Sequence, residues 1–184
     1  MPDGFTRTPS GRTVIRLDDV ERNLLRSLSE QVIAFVSPDD DGDARDPLAI
    51  LVGIDDASEV PADPALARLL PDAYKDDDDA ASDFRRFTER SLRETKAAHA
   101  RAVGEALVRS GEKVTISGQE ESSWMGFLND ARLAIGTRIE LTDDNHDELA
   151  ELPEDDPRAG LLDVYDWLTY LQETLVQLHL DDLS

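Results

Sequence analysis

Four arginines on one helical stretch, Arg86, Arg90, Arg93 and Arg101, have the type and spacing for recognition chemistry. At 3.6 residues per turn they fall within about 80° of arc. A guanidinium is a planar fork of donors that grips carboxylates or phosphates through two bonds at once. The interval from Arg85 to Arg101 holds six basic and two acidic residues, in a chain with 41 acidic against 19 basic and a net charge of −22. Opposite the arginines lie Phe84, Phe87, Ser91, Thr95, Ala98, Ala102 and Ala106, a small-residue face that predicts close helix packing. The arginines then form a partner-docking ridge. The plain alternative is that they pair with Asp83, Glu89, Glu94 and the preceding acidic segment, as surface pairs of little energetic weight. A third reading, phosphate contacts to nucleic acid, is opposed by the long-range repulsion of so acidic a chain.

The segment Trp124 to Glu140, WMGFLNDARLAIGTRIE, carries a second constellation. On a helix, Trp124, Phe127, Leu128, Ala131 and Ile135 share one face, while Gly126, Asn129, Leu133 and Gly136 line up on another. Each glycine inside a helix costs roughly 1 kcal/mol relative to alanine, so a close neighbour is expected against both. That neighbour is a packed helix, with the C-terminal one expected, or a ligand in a groove. Asn129, Asp130, Arg132 and Arg138 are the few polar groups of this helix. Asp130 is expected to be partly buried and ion-paired with Arg132, Arg138 or an arginine of the preceding helix.

Catalytic and metal signatures are missing. The chain has no glycine-rich phosphate loop, no GxSxG and no HExxH. Around Gly42 a calcium-loop register would place Ser37 and Leu48 at the first and twelfth ligand positions, and neither fits. His146, among Asp143, Asp147 and Glu148, reads as a solvated acidic turn; His99 reads as a packed boundary residue. With no cysteine there is no disulfide, thiolate ligand or thiol redox switch. No catalytic, cofactor-binding or metal residue is therefore assigned.

WMGFLNDARLAIGTRIE, with FRRFTERSLRETK (Phe84 to Lys96), PADPALARLLPDAY (Pro61 to Tyr74) and the Asp155 to Leu175 segment, resembles an actinobacterial AosR-like family of oxidative-stress regulators. The likeness covers nearly the whole chain. It implies a transcription-linked role in oxidative-stress control, with an alternative sigma factor or related component as the protein partner. Redox sensing through a cysteine pair, which the family's named member implies, is impossible here.

The elements that must position these residues are mostly helical. The expected helices run from Asp19 to Val36, Pro47 to Gly53, Pro64 to Leu70, Ser82 to Ser110, Gln119 to Ile139, Asp144 to Glu151 and Pro157 to Leu180. The last gathers Leu161, Val164, Tyr165, Leu168, Leu171, Leu175 and Leu178 on one face. Asp46, Asp63 and Asp156 each precede a proline, the N-cap and first-turn pattern. Asp18 with Glu21, and Ser117 with Glu120, have capping-box spacing. Two short β-like runs, Thr13 to Leu17 and Lys113 to Ser117, are expected to pair as a ribbon.

The expected fold is thus an all-α single-domain helical bundle over residues 1–184 with a minor two-stranded β ribbon, and acidic flexible loops near 37–46, 55–63 and 72–81. No apolar run approaches the ~18 residues of a membrane span, and MPDGFTRTPSGR lacks a signal-peptide core. The expected protein is cytoplasmic and non-enzymatic, a regulator or adaptor acting by protein–protein contact. Direct nucleic-acid binding is not expected, and a homo-oligomer is allowed. The alternative is a small-ligand sensor or enzyme using the groove on the central helix.

Overall fold

Capping residues set the frame. Asp18 accepts from the Glu21 amide while Glu21 reaches back to the Asp18 amide, and Ser117 and Glu120 do the same one hundred residues later. Asp63 accepts from the amides of Ala65 and Leu66 ahead of Pro64. The computed structural model describes residues 3–37, 62–71 and 78–181, with the backbone alone for 78–87. In chain order the elements are β1 (Thr6–Arg7), β2 (Thr13–Arg16), α1 (Asp19–Val36), α2 (Pro64–Leu69), α3 (Asp78–Arg109), β3 (Lys113–Ile116), α4 (Gly118–Arg138), α5 (His146–Ala150) and α6 (Pro157–Asp181). The helix expected at Pro47 to Gly53, and most of the acidic loops, lie outside the described residues. Helix α3 begins at Asp78, so the last residues expected as loop belong to its first turn.

Fold class is as expected: a helical molecule with a small sheet. That sheet has three antiparallel strands in the order β1-β2-β3, one more than the sequence suggested. β2 pairs with β3, Thr13 opposite Ile116 and Arg16 opposite Lys113, and β1 adds to the free edge of β2. β1 has only two residues and no alternating pattern, which is why it is not visible in the sequence.

Helix α4 is the hub. Trp124, Phe127, Leu128, Ala131 and Ile135 are all buried, and α4 packs against α1, α2, α3 and α6. Its core continues into Phe5, Ile15, Leu17, Leu25 and Val103, and into Leu168, Leu171 and Leu175 of α6. Phe5 meets Trp124 edge-on, with ring centroids 5.5 Å apart. On α6, Leu162 is buried where Leu161 was expected; Leu161 is exposed.

The face assignment of α3 is corrected. Its buried side carries Glu89, Ala97, Ala100, Val103 and Leu107, whereas Ser91, Thr95 and Ala98 are exposed. Among the small residues expected inside, Ala106 is buried and Ala102 half-buried. Charged residues with partners occupy the α3 interface and mask its hydrophobic pattern.

Candidate functional site

The arginine line of α3 divides. The side chain of Arg86 lies outside the described residues. Arg90 is exposed and lies 3.0 Å from Glu94 one turn on. Arg101 is exposed and has no ion pair among the described residues. Arg93 differs: its guanidinium donates twice to Glu89 Oε1, at 2.6 and 2.8 Å, and once to the Val36 carbonyl at 3.1 Å. It thus satisfies a carbonyl at the C-terminus of α1, where that helix has free acceptors. Arg93 ties α3 to α1, while Arg90 and Arg101 form the outward ridge.

The polar groups of α4 also divide. Asp130 is buried and accepts from Lys96 Nζ of α3 at 2.7 Å. The expected pairing with the preceding helix is observed, with lysine in place of arginine. Arg138 pairs with Asp63 at 2.6 Å and lies 5.7 Å over the Phe35 ring, fastening the start of α2 and the end of α1 to α4. Asn129 is half-buried. Arg132 lies 5.7 Å over the Tyr165 ring of α6, and its Nε is buried with no hydrogen-bond partner among the described residues.

The glycine line is filled at one end and open at the other. A Cβ at Gly126 would collide with the His99 ring, so α3 closes that end, not the C-terminal helix as expected. A Cβ at Gly136 would stand 3.2 Å from the Tyr165 ring, so there the C-terminal helix is the close neighbour, as expected. Beside Gly136 a cleft of about 630 Å³ opens between α2, α4 and α6, lined by Arg68, Arg132, Gly136, Thr137 and Tyr165 among others. His146 borders it. It faces Asp166 at 2.9 Å, and the hydrogen bond to this carboxylate raises its pKa above 6.5.

A polar cluster that the sequence did not signal ties both chain ends to α4. Buried Glu121 accepts from Arg7 at 2.6 Å and from the Thr13 hydroxyl, and lies 3.2 Å from His179. Burial opposes its charge, but the bonds from Thr13 and Arg7 and the Arg7 charge outweigh burial, so its carboxyl titrates below the usual 4.5. Its partners come from β1, β2 and α6, and no spacing in the sequence links them.

Comparison with known proteins places the chain in a family. Residues 2–179 match the model of a family described as Domain of unknown function (DUF2017). The chain belongs to this family. It is 31% identical over 170 residues to the oxidative stress regulator AosR of Mycobacterium tuberculosis, covering 85% of this chain and 77% of that protein. A putative oxidative stress regulator AosR of Mycobacterium leprae is 29% identical over 182 residues, covering 91% and 82%. The resemblance read from the central-helix motif is therefore sound. No solved structure matches the chain. Among the described residues no helix is long and apolar enough to cross a membrane.

Proposed function

We propose that this protein is a non-enzymatic, cytoplasmic regulator of the oxidative-stress response. It acts by docking a transcription component, with an alternative sigma factor as the partner class. The observation that carries this reading is family membership together with regulators named for oxidative stress over most of the chain. The absence of cysteine adds a constraint: the signal reaches this chain by a route other than its own thiols. The docking surface is the outward part of the α3 ridge, Arg90 and Arg101. Arginine suits that task because its fork binds partner carboxylates and is enriched where interfaces hold their energy.

The test is affinity capture from actinobacterial cytoplasm, with and without oxidant, comparing the native chain with an Arg90→Glu/Arg101→Glu variant. The reading expects a transcription component in the native capture and its loss in the variant, with the thermal midpoint nearly unchanged. Retention of the same partner by the variant would move the docking surface elsewhere. Capture of no transcription component would remove the regulatory mechanism proposed here.

A further inference from the structure

We propose that the cleft between α2, the C-terminal half of α4 and α6 binds a small oxyanion, a phosphate- or carboxylate-bearing molecule, through Arg132 and Arg68. This goes beyond partner docking and stands or falls independently of it.

The inference starts from what Arg132 lacks. Eight other arginines, Arg7, Arg22, Arg26, Arg90, Arg93, Arg109, Arg138 and Arg158, each reach a carboxylate within 4.0 Å. Arg132 reaches none among the described residues; Arg12, Arg16, Arg68 and Arg101 also reach none, but they are exposed to water. It is half-buried, and its Nε is removed from solvent without an acceptor. Leaving a charged donor so placed is costly unless something accepts from it. Gln172 Oε1, in the adjoining groove of about 470 Å³, is also buried without a partner among the described residues. Even a bond from Nε to that oxygen would leave the two terminal nitrogens of Arg132, with four N–H donors, without an acceptor among the described residues.

The surroundings fit a small anion. The contact of Arg132 Cζ over the Tyr165 ring, at 5.7 Å, is a cation–π contact that uses none of the guanidinium's N–H donors. Gly136 lets the Tyr165 ring lie close against the α4 backbone. Arg68, from α2, lines the same cleft and has no acceptor among the described residues. The cleft volume of about 630 Å³ suits a small molecule. Glu140 and Asp143 at its edge are exposed carboxylates that would repel an extended polyanion. A single compact oxyanion between two guanidinium groups satisfies both.

The experiment is thermal denaturation of the full chain in inorganic phosphate and in malonate, each against chloride at equal ionic strength. The expected result is a saturable rise in midpoint with at least one of the two, lost in Arg132→Gln and in Arg68→Gln and kept in Arg16→Gln, which replaces an exposed arginine of β2 away from the cleft. Phosphate alone would assign a phosphate-bearing ligand, malonate alone a carboxylate. Arg68 is exposed, so its variant folds and decides the matter even if Arg132→Gln does not. A rise of equal size in native and variant proteins is a general salt effect, and no rise at all leaves the cleft without an anion; either result overturns the proposal.

Discussion

Lys96 Nζ stands 2.7 Å from Asp130 Oδ1, and this bridge joins α3 to α4 through a carboxylate almost wholly shielded from solvent. Lys96→Met would strand the Asp130 charge in the core and should cost about 3 kcal/mol, as for other buried pairs broken from one side. The double variant Lys96→Met/Asp130→Leu should recover most of that loss, because no charge is then left inside. Urea denaturation of the three proteins is the check; a double variant no more stable than the single would show that the pair itself holds the helices together.

At the closed end of the glycine line, Gly126→Ala gains helix propensity of up to ~1 kcal/mol but drives a methyl into the His99 ring. The expected net effect is a loss, growing to about 1–3 kcal/mol for Gly126→Leu. In a His99→Ser background the alanine should become neutral or stabilising. An alanine effect identical in both backgrounds would contradict the contact.

Arg93 and Arg101 should separate cleanly. Arg93→Gln removes two bonds to a buried Glu89 and one to the end of α1, at an expected cost of about 2 kcal/mol. Arg101→Gln, on the exposed ridge, should stay within about 0.5 kcal/mol of the native chain. Matched losses at both positions would mean that the ridge is structural along its length.

Glu121 gives a pH signature. Its folded pKa is depressed, so its contribution is present above 4.5 and fades as pH falls through the lower folded value. The gap in thermal midpoint between the native chain and Glu121→Gln should therefore be widest near neutrality and narrow on acidification below 4.5. A gap independent of pH would mean that the carboxylate charge contributes nothing.

Duplex DNA offers a further check. At physiological salt the purified protein should not shift it, since −22 net charge opposes approach to phosphate. Sub-micromolar binding with a steep salt dependence would turn the ridge into a phosphate-contacting surface.

Much of the helical frame was legible because its starts are written in local chemistry: the start of α1 follows from the Asp18–Glu21 box, and those of α2 and α6 from an aspartate before proline. The pairing of β2 with β3 was legible from two short β-rich runs. The orientation of α3 was not. Its buried stripe includes Glu89, Arg93 and Lys96, charges made tolerable only by partners on the same turn, on α1 or on α4, and hydrophobic periodicity counts them as outward. The Glu121 cluster and the Arg68–Arg132 cleft escaped for a related reason. Arg132 was visible as one of the polar residues of α4, but Arg68 sits 64 residues away and only the tertiary fold brings them to one cleft.

The pairing of Thr13 with Ile116 has a consequence for synthesis of the chain. About a hundred residues separate the two strands, so at ~5–20 residues per second the ribosome needs about 5–20 s after making β2 before β3 exists. Throughout that interval the stretch of β2 backbone that β3 covers in the folded protein lacks that partner, an edge of the kind that recruits other chains. Translation speed between α1 and β3 therefore sets how long the nascent chain is vulnerable. Slow codons within α3 would prolong that exposure, whereas slow codons placed after Ile116 has left the ribosome would not.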